Sequence, residues 1–151
     1  MEVQDYPAHL DLAWLAVDRR GRLGVFTTAG EGPIPMVYLR DATMLARVTE
    51  AIDGLPLESG HELFARVPRP DDFIDFARRG LFSFDWQSDS TRAYAIQARP
   101  TTPVSIVTAG LPKDLVSLLA VVTSDSLDFE SATVDVAAAF ECAARHGVGT
   151  T

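Results

Sequence analysis

Cysteine is nearly absent: Cys142 is the only one in 151 residues, so no disulfide forms within the chain. None is needed, because a domain of this length buries roughly 68–70% of the surface that its unfolded chain exposes. Lysine is equally scarce. Lys113 is the only one, and twelve of the 13 basic residues are arginine. With 21 acidic residues the formal net charge is −8, which argues against general nucleic-acid binding, since that rests on basic surface neutralising phosphates. The charge allows attraction to a basic protein, although a charge of this size also serves solubility alone. No apolar run approaches the ~20 residues of a membrane span, and no membrane association is expected. The start, Met1-Glu2-Val3-Gln4-Asp5, lacks the basic and apolar regions of a secretory signal, so a cytoplasmic location is expected.

Catalytic motifs are missing as well. His9 and His61 stand far in sequence from any other His or Cys, and Cys142 with His146 four residues on is a lone pair, too few ligands for a short zinc motif. Cys142 sits in an Ala-rich apolar segment with only Arg145 and His146 nearby to favour a thiolate, and it reads as a small buried hydrophobe. No serine occupies a Gly-x-Ser-x-Gly turn. Gly30-Glu31-Gly32 is no nucleotide cradle: the third glycine of a dinucleotide fingerprint is missing, Pro33 interrupts, and the lysine of a phosphate loop is absent. Neither a metal nor a cofactor is expected, and no catalytic residue is assigned. Carboxylates are the hardest set to dismiss. Asp71, Asp72, Asp75, Asp85 and Asp89 lie near one another in sequence, and hydrolases use carboxylate pairs at a suitable separation. Yet Asp71 and Asp72 suit the first turn of a helix, and Asp85 and Asp89 flank a turn.

What is present describes one α+β domain over residues 1–151, with frayed ends at about 1–8 and 147–151. It has a mixed or mainly antiparallel sheet and about four helices. Leu12 to Val17 and Leu23 to Thr28 read as a hairpin around Arg19-Arg20-Gly21-Arg22, apolar on both faces and therefore covered on both. Met36 to Leu39 reads as a short strand. Asp41 to Asp53 reads as a helix capped by Asp41, with Met44, Leu45, Val48 and Ile52 on one face and Gly54 as a left-handed stop. Pro70 to Arg79 reads as a second helix that buries Phe73, Ile74, Phe76 and Ala77 and stops at Gly80. Leu81 to Trp86 and Arg92 to Ala98 form a second hairpin. Val104 to Val107 and Leu127 to Phe129 read as short strands. Leu111 to Ala120 reads as a helix, and so does the Ala-rich stretch Val134 to Arg145, capped by Ser131 or Thr133. Elements do not alternate as in a doubly wound sheet.

Two segments exceed the background. The loop after the first hairpin carries Thr28, Gly30, Glu31, Gly32 and Pro33, polar and stiffened by proline, and could present a recognition surface. The other segment holds Asp85, Trp86 and Asp89, where Trp86 has the character of an interface anchor. A turn and a core tryptophan are the plainer readings. Between Asp114 and Ala144 six acidic residues occur with no Lys or Arg, a one-sided run in sequence that need not be one-sided in space.

The chain resembles a family of small uncharacterised bacterial proteins at Asp11-Leu12-Ala13-Trp14-Leu15-Ala16-Val17-Asp18, Gly21 and Phe26 to Pro35. It does so again at Gly80-Leu81-Phe82-Ser83-Phe84-Asp85-Trp86, at Arg99-Pro100 and at the Leu111-Pro112 helix. The likeness runs to about Ala120 and is weakest after Ala132. It implies no enzymatic activity. Proteins of this type resemble acidic immunity proteins of bacterial toxin–immunity systems. The expected function is therefore a non-enzymatic protein-binding module, with a basic toxin as partner. The alternatives are a small carboxylate-dependent hydrolase or ligand-binding protein centred on Asp85, and a structural homo-oligomer subunit.

Overall fold

The computed structural model describes residues 5–41, 43–89, 91–144 and 147–148. Strands β1 (Ala13–Val17) and β2 (Leu23–Thr27) pair antiparallel, from Ala13 opposite Thr27 to Val17 opposite Leu23, and nearly all of their residues are buried. The turn closes on Asp18, whose carboxylate accepts the N–H groups of Arg20 and Arg22, while Gly21 takes a φ of +77°. β3 (Ile34–Pro35) leads into α1 (Met36–Leu39). The strand expected over Met36 to Leu39 is thus a single helical turn. Pro35, locked at φ −54°, starts it, and the turn delivers Tyr38 and Leu39 together to the core.

α2 (Met44–Asp53) buries Met44, Leu45, Val48 and Ile52, as their spacing requires. Its start differs from expectation: Asp41 bonds the Thr43 N–H and hydroxyl in a turn ahead of the helix. Its end differs too, since Gly54 is right-handed at φ −81°. β4 (His61–Leu63) precedes α3 (Asp71–Arg78), which carries Asp71 and Asp72 in its first turn and is stopped by Gly80 at φ +89°. Only Ala77 of α3 is fully buried. Phe73, Ile74 and Phe76 are half-buried, and Phe73 and Phe76 border a cleft.

β5 (Phe82–Gln87) and β6 (Ala93–Pro100) form the second hairpin, with a register shift between Ser83 and Phe84. The two hairpins join through one parallel pairing, β2 with β5, from Gly24 opposite Phe82 to Thr27 opposite Asp85. The sheet is therefore mixed and otherwise antiparallel, in the order β1-β2-β5-β6-β4. After β6, Val104 to Val107 forms a turn with one isolated bridge, Arg22 to Ser105, and Val107 stands in solvent. α4 (Lys113–Leu119) follows. Leu127 to Phe129 is not a strand. Its backbone serves the first hairpin instead: the Leu127 carbonyl accepts the Arg19 N–H, and the Phe129 N–H reaches Asp18.

The expected helix over Val134 to Arg145 is the largest correction. The segment holds the end of β7 (Thr133–Val134), α5 (Val136–Ala139) and β8 (Cys142–Ala144), and β9 (Gly147–Val148) follows it. Long-range pairing outweighs alanine's helix propensity here. Val134 pairs with Tyr94, while Cys142 and Ala143 pair with Pro35 and Ile34. Asp135, not Ser131 or Thr133, caps α5 by accepting the Ala138 N–H. β3, β8 and β9 make a second, three-stranded sheet. Arg145 lies outside the described residues.

The molecule is one α+β domain with five helices among the described residues. One face of the large sheet is aromatic. Trp14, Phe26 and Phe84 stack across adjacent strands at 4.4 and 5.0 Å, and Phe129 closes over them. On the other face α2 packs on β1, and α3 packs on β5 and β6. The chain start is anchored rather than frayed at residues 5–8: the Tyr6 hydroxyl donates to the Gly32 carbonyl at 2.5 Å. Residues 1–4 and 149–151 lie outside the described residues, and Gly147 and Val148 pair with β8. No described helix is long and apolar enough to cross a membrane.

Candidate functional site

The helix-side face of the sheet holds a polar seam. By strand alternation Thr27 on β2 shares that face with Ser83 and Asp85 on β5. Where α2 and α3 diverge, a cleft of about 230 Å³ opens onto it. Its walls are Asp11, Leu12, Ala13, Thr27, Thr49, Asp72, Phe73 and Phe76. The Thr27 hydroxyl lies 2.5 Å from Asp85 Oδ1 and 3.2 Å from the Phe84 carbonyl, and its single proton can serve only one of them. Burial pushes the Asp85 carboxyl up from the usual carboxylate range. The Thr27 hydroxyl opposes this, and the like charge of Asp11 adds to it. Among the described residues Asp11, Asp72 and Asp85 form no ion pair. An acidic, half-enclosed cleft with phenylalanine walls suits a cationic group on an apolar stem, such as an arginine or lysine side chain.

The arginines close to carboxylates are engaged elsewhere. Arg22 pairs with buried Asp18 at 2.8 Å and with Glu130 at 2.6 Å, and lies 3.6 Å from Asp128. Arg47 pairs with Asp114, Arg40 reaches Glu141, and Arg99 lies between Glu62 and Glu130. Four of the six carboxylates in the one-sided run from Asp114 to Glu141 are thereby matched by arginines from other elements. That run is not an acidic face.

The loop residues expected to present a surface are mostly tucked inward. Thr28 is 1% exposed, and its hydroxyl oxygen accepts the Leu12 and Gly30 N–H groups. Gly30 and Pro33 are buried, and the Pro33 carbonyl accepts the Tyr94 hydroxyl at 2.9 Å. Gly32 has no room for a side chain, because a Cβ there would lie 2.5 Å from the Tyr94 hydroxyl and 3.0 Å from the Trp86 Cβ. Glu31 is half-buried. The loop and Trp86 therefore do meet, through Tyr94, with Trp86 half-buried against that ring at 5.2 Å. Asp85 points to the opposite face of β5. Asp89 belongs to neither group; it is exposed in the turn and accepts the Thr91 N–H.

Sequence reasoning missed Asp11 and Thr27 as neighbours of Asp85 and Thr49 as a cleft residue, while it weighed Asp72 among the carboxylates and preferred its first-turn helix role. The parallel β2–β5 register brings Thr27 to Asp85, and no local signal announces it. Cys142 lies on β8 rather than on a helix but is buried, and burial pushes its thiol up to about 12. No group of three or more His, Cys, Asp or Glu side chains among the described residues is arranged to hold a metal ion. Comparison with protein-family models, with curated proteins and with solved structures finds no match to this chain.

Proposed function

We propose that this chain is a non-enzymatic protein-binding module for a basic partner, acting as an immunity protein acts on a toxin. The observation that supports it is the cleft lined by Asp11 and Asp72, with Asp85 bonded to its wall residue Thr27; among the described residues these three carboxylates have no ion-pair partner, while other carboxylates are matched by arginine. A basic side chain entering between Phe73 and Phe76 would supply the missing charge. Exposed Asp89 and half-buried Glu31 would serve as outer charges that steer encounter, and half-buried Trp86, on the opposite face of β5 from Asp85, as a separate anchor. The test is a pull-down from the native host, followed by association kinetics at low and high salt. Association should slow at high salt, and the triple variant Asp11→Asn/Asp72→Asn/Asp85→Asn should weaken binding about tenfold or more. A tight partner indifferent to both changes would end this reading.

One observation favours a second reading, a carboxylate-dependent hydrolase: the half-buried Asp85 carboxyl, bonded to the cleft residue Thr27, is pushed up by burial, as general acids are. Hydrolysis of a small substrate that Asp85→Asn abolishes, with no protein partner found, would establish it.

A further inference from the structure

The two outer edges of the large sheet are treated differently. Along β1 the edge is occupied. The Tyr38 hydroxyl accepts the Leu15 N–H at 3.1 Å and donates to the Leu15 carbonyl, and the Val17 N–H bonds the Val122 carbonyl at 2.9 Å. Along β4 it is open. The Gly60 carbonyl accepts the Thr101 N–H, and the Phe64 N–H bonds the Gln97 carbonyl, so in the alternating antiparallel ladder Glu62 faces β6. His61 and Leu63 must then direct their N–H and C=O groups away from the sheet. No partner meets them among the described residues. Every residue of β4 is exposed, and so are the apolar side chains of Leu57 (44%), Leu63 (39%), Phe64 (37%) and Val67 (46%) around it. An open edge flanked by exposed apolar side chains is a template for another strand.

We propose that β4 is the contact edge of a two-fold dimer, in which β4 of a second copy pairs antiparallel with it about Glu62. The sequence around Glu62 complements itself in that register. The outward groups of His61 meet those of the partner's Leu63, and the reverse, giving the exchanged hydrogen bonds of an antiparallel ladder. The same register carries Arg66 toward the partner's Glu58 and Val67 toward the partner's Leu57. Neither Arg66 nor Glu58 has an ion-pair partner within the chain among the described residues. The two-fold repeats each opposite-charge contact and each apolar contact, as an isologous interface requires. The like charges that meet on the axis, the two Glu62 side chains, are each held by their own Arg99 at 3.6 Å. That Arg99 also lies over the Phe64 ring at 5.0 Å, which fixes the apolar side chain beside the axis.

Sedimentation velocity over a concentration series tests this, with thermal unfolding as the control for folding. The wild-type chain should shift from monomer to dimer as concentration rises. Leu63→Pro removes an N–H that points away from β6, so it should abolish the dimer and leave the fold intact. Glu58→Arg should weaken dimerisation, and Glu58→Arg combined with Arg66→Glu should restore it. The charge pair carries the test alone if Leu63→Pro does not fold. A wild-type chain that stays monomeric at every concentration would overturn the proposal, as would a dimer that survives both Leu63→Pro and Glu58→Arg.

Discussion

Asp18 shows how one buried charge can be kept. Burial would push its carboxyl up, but the Arg22 guanidinium and the backbone N–H groups of Arg20, Arg22 and Phe129 hold it below the usual range. Its folded value lies under its unfolded one, so its stabilisation is present above the unfolded value and is lost as pH falls through the folded value. Asp18→Ala should cost about 3–5 kcal/mol in urea unfolding at neutral pH, since it strips the shared acceptor from two loops. Asp85 has the opposite sign. Its folded value is raised, so its ionisation destabilises the fold, an effect absent below the unfolded value and complete above the folded one. Asp85→Asn should therefore raise Tm at pH 7 and lose that gain as pH falls, which steepens the acid side of the Tm–pH profile. An unchanged profile would mean that the carboxylate is better solvated than its burial implies. Cys142, at 0% exposure with its thiol pushed up to about 12, should resist alkylating reagents at pH 8 in the native protein and react fully in denaturant. Phe76→Ala should fall short of the ~3–5 kcal/mol of a fully buried phenylalanine, because one side of its ring faces the cleft.

Elements with a self-contained signal were legible in the sequence. Both hairpins, and the helices from Met44 and Asp71, follow from apolar alternation, helical spacing, first-turn aspartates and Gly80. Elements defined by distant pairing were not. The run from Val134 to Ala144 has the composition of a helix, yet it divides because β6 and β3 recruit its two ends as strands. The site divides in the same way: Asp85 stood out locally, whereas Thr27 and Asp11 become its neighbours only through the β2–β5 register and the turn of chain ahead of β1. Gly24 is a further case. A Cβ there would lie 2.7 Å from the Phe129 ring, which lies over β2 from a loop far along the chain. Gly24→Ala should cost about 1–3 kcal/mol through overpacking, and Phe129→Leu should recover part of that loss in the double variant. Equal and additive costs would show that the ring moves aside freely.

At the scale of the whole molecule the net charge of −8 is not spread as the sequence distributes it. Arg22 in the first hairpin turn, Arg40 at the end of α1, Arg47 in α2 and Arg99 in β6 reach the acidic C-terminal run, and among the described residues the carboxylates without an ion pair include those at the cleft. The parallel seam between β2 and β5 has a consequence in time rather than in space. Each hairpin closes a short loop and can form early, but the seam must bring residues 24–27 to residues 82–85 across everything between them. Closing that long loop is slow, because its entropic cost comes before its contacts repay it. Folding should therefore be limited by seam formation. In stopped-flow experiments Val25→Ala should mainly slow refolding. A loosened β4, which joins a sheet already assembled, should mainly hasten unfolding.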